Sequence, residues 1–302
     1  MKEKVKCKKC GLLIDSDLDT CPYCGFPQNK DLVNESTIES KDINENSEET
    51  KRKVRFFDFP SQTLPISFLK SIILFFVGLI VLNLLATLFK VISATTNNLY
   101  FLNNIQYSAA INFSVYAILL GIFVIILNKD IVNYLKQFKN KMRWLEGLGF
   151  GFFLMIVSSA VTIIFRLFDQ STGSNANEQG VDAITTSYPI LSLLIFGIVG
   201  PICEELTYRA GLFTAIKKYN RIFAYIGTAV IFGLIHFDFS SFGTPSLVSE
   251  LINIPSYIVS GLLLCYFYDY KGIGASTIAH ITNNFIAILV QIISMYLLWK
   301  KY

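Results

Sequence analysis

The chain has 302 residues, of which 53% are hydrophobic and only 16% charged, where a soluble domain of this size has about a quarter of its residues charged. The deficit falls almost entirely after Leu64, which excludes a wholly water-soluble protein and separates a polar N-terminal region from a membrane-embedded remainder. The net charge is only +4, with no basic stripe carrying interleaved aromatics, so no nucleic-acid partner is expected; the Lys and Arg residues instead punctuate apolar runs and read as topology signals.

In chain order, the first element is a pair of thiol knuckles. Cys7-Lys8-Lys9-Cys10-Gly11 and Cys21-Pro22-Tyr23-Cys24-Gly25 hold four of the six cysteines; Cys203 and Cys265 stand alone in apolar segments. Two Cys-x-x-Cys turns about ten residues apart bring four thiolates to one ion, and the following Gly lets backbone N–H groups approach the sulfurs. Residues 1–27 therefore read as a zinc ribbon with Cys7, Cys10, Cys21 and Cys24 as structural zinc ligands, too short to fold without the metal. Two disulfides in an exported segment are the alternative. No secretory signal opens the chain, because the first apolar run begins only near Ile66.

Residues 28–65 form a linker. Its first part is rich in Asn, Glu, Ser and Asp without an apolar period, the composition of a disordered acidic segment. Lys51-Arg52-Lys53-Val54-Arg55 then precedes the membrane and favours the cytoplasmic side.

Residues 66–302 read as an all-α polytopic bundle of about seven or eight transmembrane helices. Apolar runs fall near 66–92, 107–128, 145–167, 187–204, 222–237, 248–268 and 275–299, each approaching the ~20 residues that cross the hydrocarbon core. The connections alternate in charge. Those at 129–144 (Lys129, Lys136, Lys139, Lys141, Arg143) and 205–221 (Arg209, Lys217, Lys218, Arg221) are basic, and Lys271 follows the sixth run; 93–106, 168–186 and 238–247 have no Lys or Arg. This pattern places the N-terminus in the cytoplasm of a multi-pass protein, where thiols stay reduced and free to hold zinc. Lys300 and Lys301 would end outside a seven-span chain, and an eighth span or a re-entrant piece would return them.

Ionisable groups inside a spanning segment are expensive and default to functional candidates. Glu204 and Glu205 follow the run ending at Cys203, and Arg209 lies one helical turn beyond Glu205 on the same face. Arg209 can hold one carboxylate ionised while the other holds a water and acts as a base. The only two histidines, His236 and His280, sit in different downstream runs, and Asn284 shares a helix face with His280. Two imidazoles and a carboxylate pair can activate water as general bases or through a divalent metal. Asn284 can donate to an oxyanion or orient His280.

In this order on successive helices, Glu204-Glu205-x-x-x-Arg209, Phe232-x-x-x-His236 and His280-x-x-x-Asn284 resemble the three motifs of the CPBP family, the CAAX-protease and bacteriocin-processing (Abi) proteins, which include the Ras-converting prenyl proteases. The resemblance covers about 187–299. One departure is Ala210, which stands between the motif Arg and Gly211. The resemblance implies an intramembrane endopeptidase. By carry-over Glu204 is the base activating water, aided by His236. Glu205 and Arg209 support that geometry, and His280 and Asn284 position the water or stabilise the oxyanion. Whether Glu204, His236 and His280 hold water alone or a catalytic metal is left open, since no His-Glu-x-x-His appears.

Several expectations follow. The substrate is a membrane-embedded or membrane-associated peptide or protein in the lipid bilayer, with CAAX-type processing, peptide or bacteriocin processing, or immunity as roles. The ribbon has a cytoplasmic protein partner. The Lys, Asn, Ile and Phe bias suggests a bacterial plasma membrane. A catalytically silent immunity or regulatory binding protein of the same fold is the main alternative. A proton-relaying transporter is disfavoured, because the first three runs contain few ionisable residues, such as Lys70, Lys90 and Arg166.

Overall fold

The computed structural model describes residues 4–7, 13–16, 18, 28, 59–95, 105–169 and 173–299. It falls into two units, Met1–Gln62 and Thr63–Tyr302. In the first, β1 (Lys4–Lys6) and β2 (Leu13–Asp15) form an antiparallel hairpin with Lys4 opposite Asp15, Val5 opposite Ile14 and Lys6 opposite Leu13. Cys7 directly follows β1 and is buried, and the Gln28 side-chain amide donates to its Sγ at 3.3 Å. Cys10, Cys21 and Cys24 lie outside the described residues, as does most of the acidic linker.

The second unit is an all-α polytopic membrane bundle. Its helices are α1 (Phe68–Thr95), α2 (Ile105–Leu127), α3 (Ile131–Gln137), α4 (Lys141–Arg166), α5 (Ala176–Ser187), α6 (Pro189–Lys217), α7 (Arg221–Leu234), α8 (Ser246–Lys271) and α9 (Ile273–Trp299). Among the described residues, five stretches are long and apolar enough to span a bilayer: Ile105–Gln137, Lys141–Arg166, Pro189–Lys217, Ser246–Lys271 and Ile273–Leu297. Phe68–Leu82 and Arg221–Leu234 are shorter apolar helices. The seven expected runs are all helical.

Three boundaries differ from the sequence reading. The fourth run does not stop at 204. It continues as one helix to Lys217, because Glu205 and Arg209 neutralise each other inside it, so Arg209 is a buried mid-helix residue and not part of a basic loop. The connection 168–186 contains α5, capped by the Asn175 side chain accepting from the Glu178 N–H at 2.9 Å. The connection after the sixth run is Gly272 alone. Its φ of 90° is the left-handed geometry glycine adopts freely, and its N–H closes α8 on the Tyr268 carbonyl.

Lipid tails are as apolar as Leu, so helices in a bilayer associate through close packing rather than water exclusion. In α4, Gly147 and Gly151 make that packing. A Cβ on Gly147 would come 2.7 Å from Ile278, and one on Gly151 would come 2.6 Å from the Ala279 carbonyl oxygen. This contact fixes α9, and with it His280. Beside it Leu154, Leu264, Phe267, Ala275 and Ala279 form an apolar cluster, with Phe150 stacked on Phe267 at 4.0 Å.

The bundle has two distinct ends. At one, Lys70 pairs with Asp130, Lys271 with Glu146 at 2.6 Å, and the buried Asp269 accepts from Arg221 at 2.6 Å and Tyr225 at 2.9 Å. At the other, the buried Glu250 accepts from the backbone N–H of Ala176 at 2.8 Å and of Asp238 at 3.0 Å, tying the entry of α5 to the α7–α8 connection. Arg166 faces Glu178 at 3.8 Å at this same end.

Candidate active site

Two widened π turns, Ile195–Val199 and Glu205–Phe213, interrupt α6 and flank Glu204. Neighbouring residues on a helix point about 100° apart, so the two carboxylates separate. Glu204 lines a cavity; Glu205 is fully buried and does not. Glu205 Oε1 lies 3.1 Å from Arg209 Nη1, and both side chains are 0% exposed. The same oxygen accepts from His280 Nδ1 at 3.0 Å. Arg209 also packs over the Phe232 ring, 4.4 Å from its centre. A buried carboxylate between a guanidinium and an imidazole is ionised and immobile.

That arrangement sets the state of His280. With its Nδ1–H donated to Glu205, its Nε2 points toward Glu204, whose Oε2 is 3.7 Å away. This gap is too long for a direct hydrogen bond and fits one water touching both atoms. His236 is fixed differently. The 14 residues of α7 rise about 21 Å, short of the ~30 Å hydrocarbon core, so the chain turns within the membrane just where His236 stands. Its Nδ1–H donates to the Phe232 carbonyl at 2.8 Å, and its ring stacks on Tyr257 at 4.3 Å. This leaves the second nitrogen bare. Asn284 donates to the Phe196 carbonyl at 3.3 Å, at the first π turn, and accepts from Asn283 at 2.9 Å.

Glu204, His236, His280 and Asn284 all line one cavity of about 720 Å³, while Glu205 and Arg209 stand behind His280. Tyr116, Tyr257 and Asn283 complete the wall. Sequence reading passed over these neutral polar residues, although Asn283 adjoins the third motif. At the far end Arg166, Glu178 and Asp182 face the same space. Burial raises the Glu178 carboxyl above the usual range, against the opposing pull of Arg166.

Among the described residues no three His, Cys, Asp or Glu side chains converge closely enough to hold an ion; the Nδ1–H of His280 given to Glu205 leaves its Nε2 as the nitrogen that a water or a metal could meet.

Residues 186–286 match the family described as Type II CAAX prenyl endopeptidase Rce1-like. The chain carries an Rce1-like domain. That domain holds all six motif residues, in agreement with the resemblance read from the motifs. Curated relatives include a Bacillus subtilis (strain 168) protein named "Putative membrane peptidase YdiL", 26% identical over 145 residues (47% of this chain, 54% of that protein). The UPF0177 protein YxdF of Lactococcus lactis subsp. lactis is 33% identical over 122 residues, covering 40% of this chain and 66% of its own length. A Mycoplasma capricolum protein named only as uncharacterized is 24% identical over 193 residues, 58% of this chain and 54% of its own. The chain thus spans about half to two thirds of the relatives it matches. No solved structure matches. Residues 186–286 are thus similar to a CAAX-type protease domain, within a multi-pass membrane protein.

Proposed function

We propose that this chain is an intramembrane endopeptidase acting on a membrane-associated peptide or protein, with one water held between Glu204 Oε2 and His280 Nε2. The observation that carries the reading is the chain Arg209–Glu205–His280, which aims a fixed imidazole nitrogen at a cavity-lining carboxylate 3.7 Å away. Glu204 takes a proton from the water as its oxygen bonds to the scissile carbonyl carbon. The carbonyl π pair moves to oxygen, where the remaining N–H of the Asn284 amide donates to the oxyanion. On collapse the C–N bond breaks, and the proton passes from Glu204 to the leaving nitrogen with His280 as relay. Glu205 holds the His280 tautomer, and Arg209 holds Glu205. The bare nitrogen of His236 accepts from the water or from the substrate N–H.

CAAX-type cleavage, or peptide and bacteriocin processing or immunity, are the roles this chemistry serves, in a bacterial plasma membrane with the N-terminus cytoplasmic. Residues 1–27 are a structural zinc site that engages a cytoplasmic partner. Support comes from the two knuckles and from the β1–β2 hairpin, which leads straight into a buried Cys7.

The test is cleavage of a membrane-anchored reporter peptide by purified protein in nanodiscs. Glu204→Gln and His280→Ala should each lower kcat by about 10²–10⁴, the span of a positioned acid–base group. Unchanged turnover in a folded Glu204→Gln protein would sink the proposal and favour the silent binding protein.

A further inference from the structure

The peptidase reading does not say from which face a substrate arrives. The cavity does. Its deep wall is Glu204 and His280, and its other end is lined by Arg166, Ser174, Asn177, Glu178 and Asp182. None of Lys70, Asp130, Glu146, Lys217, Asp269 or Lys271, which mark the opposite end of the bundle, lines it. Within each long helix the lining residues stop short of the closed end. In α4 they run from Leu154 to Arg166, in α8 from Ser256 to Leu264, and in α9 from His280 to Gln291. The cavity is therefore a well sunk from the α5 face to mid-membrane, walled off from the other face.

The two faces differ in charge. The closed face carries Lys129, Lys136, Lys139, Lys141, Arg143, Lys217, Lys218, Arg221 and Lys271. Among the described residues the α5 face has Arg166, paired with Glu178, and Lys90 lies in the last turns of α1. Basic residues flanking spans are retained in the cytoplasm, so the closed face is cytoplasmic.

We propose that the cavity is filled from the non-cytoplasmic side, so that the bond cleaved belongs to a polypeptide segment lying on, or already exported to, that face. The cleavage rests on the peptidase reading; the sidedness rests on the well and the charge distribution alone. A segment confined to the cytoplasm would meet the closed end, plugged by the Lys271–Glu146 pair and by the buried Asp269 with its partners.

Sidedness can be read by cysteine modification of the full chain in cells, with a cationic, membrane-impermeant methanethiosulfonate as probe. Single cysteines are added at Ser260 (cavity wall), Asp182 (mouth) and Lys139 (closed face). Cys203 and Cys265 are fully buried, so the membrane domain adds no background, and labelling is scored above the parent chain. Ser260→Cys and Asp182→Cys should react in intact cells, and Lys139→Cys only after permeabilisation. Reaction of Ser260→Cys only after permeabilisation, or of Lys139→Cys in intact cells, overturns the proposal. Ser159→Cys, on another wall of the cavity, must report the same side, so a poorly folded Ser260→Cys decides nothing by itself. Failure of the peptidase reading would look different: the labelling pattern holds, and outward-facing reporters are processed equally by wild type and Glu204→Gln.

Discussion

Replacing Glu205 with Gln removes one charge from the centre of the site without changing its shape. In the protein Glu205 balances Arg209 at 3.1 Å and fixes the His280 tautomer at 3.0 Å, with both acid and guanidinium fully buried. The variant leaves Arg209 cationic without its carboxylate, packed against the Phe232 ring. Breaking a buried pair from one side destabilises by about 3–5 kcal/mol, and the cation–π contact, present before and after the change, does not offset it. The kinetic effect is separate. The Gln amide can offer His280 an N–H instead of a carboxylate, turning the imidazole to the wrong tautomer, a change that lowers kcat about 10⁴-fold in a comparable acid–imidazole arrangement. The double variant Glu205→Gln/Arg209→Met separates the two effects. It removes the orphan charge and should recover most of the lost stability, yet none of the activity. The assay pairs thermal unfolding in nanodiscs with kcat and KM on a membrane-anchored reporter. A double variant within about threefold of wild-type kcat would refute the role given to the Glu205–His280 bond.

Gly151→Leu should overpack the α4–α9 contact at about 1–3 kcal/mol and displace His280, whereas Gly149→Leu, which meets nothing within 4 Å, should leave unfolding temperature and activity unchanged. Glu178 has a raised carboxyl pKa in the folded protein, so the folded state holds the extra proton and stability falls as pH rises from the ordinary carboxylate value through the raised one; Glu178→Gln should flatten that acid-side slope in unfolding scans taken across it. Metal analysis should find about one zinc per chain, lost when Cys7, Cys10, Cys21 and Cys24 are replaced together; a metal-free wild type would refute the ribbon, and a second equivalent dependent on His236 and His280 would revive metal chemistry at the site.

Much of the bundle was legible because a bilayer imposes one strong rule, long apolar runs, and all seven runs proved helical. The rule failed where polarity is satisfied internally. Glu205 and Arg209 look like the end of a span in hydropathy, yet they lie inside α6 because their charges cancel there. The helix α5 looked like a loop because its composition is polar, although Asn175 and Glu178 three residues on form the pattern of a capped start. The six motif residues stood out because ionisable groups are scarce in the membrane. The division of labour among them did not, since only the helical phase of α6 shows that Glu204 faces the cavity and Glu205 faces His280. Glu250 could not be singled out from a sequence at all, because its two partners are backbone N–H groups on distant connections.

The widened turn at Glu205–Phe213 bears on how this chain tolerates change in length. A π turn holds one residue more than the α turn it replaces. The widened turn absorbs that residue, where an extra or missing residue in a regular turn of the helix would rotate everything on one side of it by about 100° relative to the other. Gly211, whose missing side chain admits the backbone of Phe75, and Arg209, which must meet Glu205, could not both keep their partners through such a rotation. A one-residue change of length in a regular turn between the site and Gly211 would thus break the site and its attachment to α1 together, while the widened turn at Glu205–Phe213 is where the helix can take up such a change.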